Sequence, residues 1–244
     1  MTIRNFFGRI RNRARSGKRN PRPALNELDV KLDRYLDFRN GFFIEAGAND
    51  GYSQSNTYFL EMNRGWSGIL VEGIPDLYEQ CRKNRARSVT YNCALVSDTY
   101  TQSSVTMRYA NLMSVVDGSL RSEEKQAKHI RDGIDIQKLR GSYSVDVPAR
   151  TLESILCEFH GLPHIDFFSL DVEGSELGVL QGLNLSRYRP TFILVEANFY
   201  DEINALLQAN GYSQLEKLSY HDYLYKDSRT GDARPPIDKK TDTA

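Results

Sequence analysis

Runs of consecutive apolar residues alternate with stretches of helical periodicity along most of this chain. Phe42, Phe43 and Ile44 begin one run, and Ile69, Leu70 and Val71 fill another inside Ser67 to Glu72. Further runs fall at Ser88 to Leu95, Asp166 to Asp171 and Phe192 to Glu196. Runs this short and this continuous are the mark of strands buried on both faces. Between them the apolar residues recur at three- and four-residue spacing. This predicts helices at Ala24 to Phe38, Ser55 to Asn63, Pro75 to Arg85, Thr151 to Phe159, Ser175 to Gly182 and Glu202 to Asn210. The Ser55 to Asn63 helix should carry Tyr58, Phe59 and Met62 inward and stop at Gly65. Strand and helix in strict alternation predict an α/β doubly wound, mostly parallel sheet. Tyr212 to Lys217 and Tyr223 to Lys226 would close it as an antiparallel final pair.

The rhythm fails between Thr99 and Val147. Val105 to Tyr109 and Tyr143 to Val147 both alternate and can pair as a hairpin, with a helix between them at Ser122 to His129. An insertion of this length, at about 99–147, suits a lid over a substrate site. The rest, 24–226, reads as one domain. Pro21 and Pro23 mark a linker before it, and the polar, proline-interrupted segment 227–244 is expected to be disordered.

Charge changes the picture at one end only. The 32 basic and 32 acidic residues balance, yet residues 1–22 hold eight basic and no acidic ones, leaving the remainder at −8. The body is thus a poor nucleic-acid binder. Within the basic segment 1–23, Ile3, Phe6, Phe7 and Ile10 share one face of a helix. That fits a disordered tail, an amphipathic helix on an anionic membrane, or an organellar targeting peptide. There is no long apolar segment of the secretory kind, and Cys81, Cys93 and Cys157 follow neither a disulfide nor a zinc spacing. A cytoplasmic protein, peripheral to the membrane if the basic segment binds lipid, is the expectation.

The chemistry gathers where strands end. Glu45, Gly47 and Gly51 follow the first run, and glycines so spaced let the chain turn and a ligand approach closely. Glu45 and Asp50 make the turn acidic, which a phosphate cradle would avoid. A nucleoside with a cationic part, such as S-adenosylmethionine, fits better than a dinucleotide, although an ordinary strand-to-helix turn is also open. Glu72 lies roughly 20 residues further on, where a carboxylate for ribose hydroxyls belongs with either cofactor. In an open α/β sheet ligands bind beyond the carboxyl ends of the strands. Those ends carry Glu45, Glu72, Ala94, Asp171 with Glu173, and Glu196 with Asn198. Carboxylates gathered at one crevice call for a cation.

The segments Phe43-Ile-Glu-Ala-Gly-Ala-Asn-Asp-Gly51, Gly68-Ile-Leu-Val-Glu72 and, most specifically, Ile165-Asp-Phe-Phe-Ser-Leu-Asp-Val-Glu-Gly-Ser-Glu-Leu-Gly-Val-Leu-Gln-Gly182 resemble the FkbM-type methyltransferases over roughly residues 40–226. The resemblance implies the class I methyltransferase (Rossmann-like) fold, S-adenosylmethionine as donor, and a hydroxyl of a saccharide, glycolipid or related metabolite as acceptor. It implies that Glu45, Gly47, Asn49 and Gly51 line the methionine part, Glu72 holds the ribose, and the Cys93–Ala94 turn flanks the adenine. Gly73 stands where relatives often carry proline.

Methylating a hydroxyl needs a base or a metal that acidifies it. Asp171 and Glu173 are the carboxylate candidates, with Glu176 either beside them or merely complementing a helix dipole. His221 is a further candidate base, since an imidazole titrates near working pH. Asp171, Glu196 and Asn198 resemble the metal triad of catechol-type O-methyltransferases, and oxygen ligands of that kind suit Mg2+. The competing expectations are a non-catalytic cofactor-binding adaptor at the membrane and a nicotinamide-dependent oxidoreductase.

Overall fold

The computed structural model describes residues 19–162 and 164–229. Five strands build its parallel centre: β1 (Phe42–Ala46), β2 (Ser67–Glu72), β3 (Val89–Asn92), β8 (Phe167–Leu170) and β9 (Phe192–Glu196). With β10 (Tyr212–Lys217) and β11 (Asp222–Asp227) they form a seven-stranded sheet in the order β10-β11-β9-β8-β1-β2-β3. Neighbours from β3 to β9 run parallel, and β11 lies antiparallel to both β9 and β10. The order reverses at β1, which pairs with β2 on one side and β8 on the other, so the ligand crevice opens beyond Ala46 and Leu170.

Alternation explains why the apolar runs are unbroken. Successive side chains of a strand point to opposite faces. Ile44, Ile69, Phe168 and Ile193 pack into one core, whereas Phe43, Leu70, Phe167 and Leu194 pack into the other. The first is covered by α6 (Leu152–Leu156), α7 (Glu176–Gln181) and α8 (Tyr200–Ala209). The second is covered by the short helices α1 (Leu28–Lys31) and α2 (Asp33–Leu36), with α3 (Tyr58–Arg64) and α4 (Pro75–Asn84).

The insertion is a second sheet. Strands β4 (Ala94–Leu95), β5 (Ser104–Arg108), β6 (Val115–Val116) and β7 (Ser144–Arg150) stand in the order β4-β7-β5-β6, and the expected hairpin is the antiparallel β5–β7 pair. Its apolar side, Val105, Met107 and Val147, packs on Ile74 and Leu77 at the start of α4. Helix α5 (Glu123–Gln137) lies on the 3-10 turn Asn111–Met113, with Ile130 against Ala110 and Val115.

Several sequence expectations are corrected. The first helix is broken into short turns because Asn26 and Glu27 take left-handed φ of 53° and 59°. Met62 is 41% exposed, and Leu60 and Glu61 point inward in its place. Helix α5 is capped by Ser122 but runs on to Gln137 past Gly133, whose absent side chain lets it lie against Ala110 and Met113. Ser88 to Leu95 is two strands in two sheets, divided at Cys93. Asp227, assigned to the disordered segment, ends β11, and its buried carboxylate accepts from Arg189 Nε at 2.9 Å. The remainder of that segment from 230, and the basic residues 1–18, lie outside the described residues.

Candidate active site

Strand β1 feeds directly into the glycine turn. Gly47 (φ +82°) and Asn49 (φ +48°) turn the chain, while Gly47 N and Ala48 N both donate to Val71 O at 3.0 Å. A Cβ on Gly47 would stand 1.7 Å from the carbonyl oxygen of Asp171, so this glycine lets β1 and the end of β8 meet. A Cβ on Gly51 would meet Arg85 Cγ at 2.7 Å. Both glycines are therefore required by the protein's own packing. Glu72, at the end of β2, is buried and accepts from Asn49 N and Ile74 N at 2.8 Å each. Burial pushes its carboxyl up to about 7. Each oxygen keeps acceptor capacity for a further donor such as a ribose hydroxyl.

Glu45 is placed otherwise than expected. Its carboxylate accepts from Ser55 Oγ, Asn56 N, Thr57 Oγ1 (2.6 Å) and Arg85 Nη1 (3.2 Å). Arg85 is wholly buried and also donates to Glu61 Oε2 at 2.8 Å and to Gly51 O at 3.1 Å. Glu45 thus supports the turn from beneath, with its donors supplied by the chain itself. Ala94 lies inside β4, packed in the core of the small sheet rather than in an open turn.

Four carboxylates meet at the other side of the crevice. Burial, with Asp222 and Glu45 nearby, raises Asp171 to about 7, while a hydrogen bond with Glu196 opposes the rise. Glu196 is raised well above the usual range, chiefly by the charge of Asp171 and then by burial. The two therefore share a proton as a pair. Burial first, and then Asp171 and Glu176, raises Glu173 in the same direction. Glu173 sits in the turn with φ +53°, a conformation rare outside glycine. Glu176 is fully buried, and its Oε1 accepts from Gly174 N (2.8 Å) and Val172 N (3.2 Å). It shapes the turn that presents Asp171 and Glu173.

The remaining candidates separate from this group. Asn198 is exposed. Asp171 and Glu196 hydrogen-bond to one another, and no group of three or more His, Cys, Asp or Glu among the described residues is arranged to hold a metal ion. His221 is exposed, with its ring edge-on to Tyr220 at 4.5 Å; among the described residues no hydrogen bond or ion pair joins it to Asp171 or Glu173. The histidine that does reach the site is His129 on α5, with Nε2 3.5 Å from Glu173 Oε2. Nothing in its spacing along the sequence marked it, because the insertion brings it there through tertiary packing.

The insertion also touches the glycine turn, since Asn49 Nδ2 donates to Asn111 Oδ1 at 3.4 Å. On its other side a cleft of about 530 Å3 runs between β5, β6 and the start of α7, with Thr106, Asp117, Ser119, Arg121, Ser175 and Gln181 in its walls. Ser119 Oγ donates to the carbonyl of Glu173 at 3.0 Å, which ties that cleft to the acidic turn.

The fold is similar to those of a TehB-like SAM-dependent methyltransferase from Corynebacterium glutamicum (7% identity, 82% of this chain and 87% of that one, TM-score 0.42) and a precorrin-6y C5,15-methyltransferase from Geobacter metallireducens (11%, 82% and 86%, 0.42). A SAM-dependent methyltransferase from Geobacter sulfurreducens in complex with S-adenosyl-L-homocysteine is also similar (12%, 82% and 69%, TM-score 0.38). No curated protein matches the chain in sequence. The model of the methyltransferase FkbM domain matches residues 45–213, from the end of β1 to the start of β10. That match spans well over half of the 244 residues, and the chain belongs to the FkbM methyltransferase family.

Proposed function

We propose that the protein transfers a methyl group from S-adenosylmethionine to a hydroxyl of a saccharide, glycolipid or related metabolite. The observation that carries this reading is the juxtaposition, through Gly47 and the Asp171 carbonyl, of the glycine turn with the acidic end of β8. A cationic donor would offset the charge of Asp171, Glu173 and Glu196 there, and Glu72 is free to take ribose hydroxyls. S-adenosylmethionine supplies an electrophilic methyl carbon on a sulfonium. The chain's part is to hold the acceptor oxygen in line and to take its proton on the carboxylate of Asp171 or Glu173. Asp117, Ser119 and Arg121, set in the otherwise largely apolar walls of the neighbouring cleft, offer hydrogen bonds to an acceptor's hydroxyls.

The test is labelled-methyl transfer over a panel of saccharides and lipid-linked saccharides, with calorimetry of S-adenosylmethionine. Glu72→Ala should weaken donor binding by about 1–3 kcal/mol, the range of a charge-assisted hydrogen bond. Asp171→Asn should leave donor affinity near wild type and cut turnover by at least about a hundredfold, as loss of a general base does. Undiminished transfer in Asp171→Asn together with an unaltered affinity in Glu72→Ala would sink the assignment.

A further inference from the structure

The insertion does more than cover the crevice, because one of its histidines is committed to the acidic turn. His129 is carried on α5, with its side chain largely buried. Its Nε2 lies 3.1 Å from the carbonyl oxygen of Met113 and 3.5 Å from Glu173 Oε2. A carbonyl only accepts, so Nε2 must carry the proton, and that N–H is given to Met113, while the Glu173 carboxylate stands 3.5 Å from the same nitrogen without a hydrogen bond. That geometry prevents Nε2 from taking a proton from the acceptor, whereas the anchored ring limits where the neighbouring carboxylate can lie.

Glu173 needs holding. It occupies a left-handed φ of +53° immediately before Gly174 at +97°, and its carbonyl is fixed by Ser119, also from the insertion. The 3-10 turn Asn111–Met113 that receives His129 through Met113 is the turn that touches Asn49 through Asn111. One piece of the insertion therefore rests on the donor side of the crevice and on its acceptor side together.

Resting on the methyl-transfer reading, we propose that His129 is a positioning residue for Glu173: its ring, anchored through Nε2–H on the Met113 carbonyl, stands against the Glu173 carboxylate and limits where it lies beside the acceptor hydroxyl. The acceptor proton passes to a carboxylate of the turn, and His129 stays neutral throughout. Burial supports this by holding the imidazole below its ordinary range. Asp132 and Lys128 on its own helix and Glu173 across from it are the charged groups it faces.

Two measurements on the full chain test the proposal. In methyl transfer, His129→Phe should lower kcat about tenfold, with the KM for the donor unchanged, while His129→Gln, which restores an N–H, should recover most of the loss. Equal impairment of the two variants, or a His129→Phe kcat within about twofold of wild type, would overturn it. Melting curves of both variants check that each is folded. The second measurement needs no activity. Glu173→Gln should move the ring-nitrogen resonances of His129 in 15N-histidine spectra, and Glu124→Gln, exposed on the same helix, should not. His129 resonances indifferent to Glu173→Gln would refute the pairing. If no acceptor is methylated at all, the functional reading fails by itself and the spectra still decide the pairing.

Discussion

Burial without a counter-charge is the common condition of Glu72, Asp171 and Glu176, each raised to about 7; burial also raises Asp29, to about 6, although Arg22 opposes it. Unfolded carboxyls titrate near 4, so through the window from about pH 4 to 7 the native state binds more protons than the unfolded one. Its stability therefore falls as pH rises through that window, and the penalty is complete above the native values. A bound sulfonium should relieve part of it. The melting temperature of the free protein is expected to be higher near pH 5.5 than near pH 8, with the increment from S-adenosylmethionine growing over the same range. S-adenosylhomocysteine, which lacks the charge, should give an increment nearly independent of pH. Differential scanning at both pH values decides it, and a free protein that becomes more stable toward pH 8 would contradict the account. At this scale the sequence places Glu72 at the end of β2 and Asp171 and Glu173 just past β8, because a strand end is a position that can be counted. It does not reveal the task of Glu45 or the approach of His129. Arg85 is 40 residues from Glu45, and His129 comes from another sheet's helix, so neither partner has a local signature.

Among elements, the buried guanidinium of Arg85 is the main tie. It joins Glu45 on β1, Glu61 on α3 and the carbonyl of Gly51 in the turn to the end of α4. Arg85→Met removes the cation and leaves two buried carboxylates facing each other, which costs about 3–5 kcal/mol. Urea unfolding measures the loss, and adding Glu45→Gln and Glu61→Gln to the same chain should restore part of it. A variant as stable as wild type would mean that the pair is not held in charged form. The strands β1, β2 and β9 are legible nearly to the residue because burial on both faces demands unbroken apolar runs. The insertion helix is not, since its outer face is polar and Gly133 interrupts its pattern for the sake of a close contact. The short turns before β1 escape as well, because left-handed Asn26 and Glu27 break a helix whose apolar spacing is intact.

For the whole molecule, the charge asymmetry separates a basic segment from an acidic body. Two of its eight cations are already used: Arg22 pairs with Asp33 at 2.6 Å and Arg19 donates to Asn84. The six within residues 1–18 carry the membrane proposal, each contributing on the order of 1 kcal/mol beside anionic lipid. The full chain should sediment with phosphatidylserine vesicles at low salt and a chain starting at Arg19 should not. Equal sedimentation would end that proposal. No helix among the described residues is long and apolar enough to cross a membrane. The doubly wound order was legible because helix and strand alternate so strictly; the position of the last strand has another effect. Strand β11 comes last in sequence yet lies between β9 and β10, with Leu224 and Tyr225 wholly buried. During synthesis β9 is made before β11 and keeps an open edge until Asp222–Asp227 has left the ribosome. An apolar edge exposed for that interval invites pairing with another nascent chain. Completion of the sheet is thus timed by the arrival of its last-made strand, and slow translation after Glu196 would prolong the vulnerable interval.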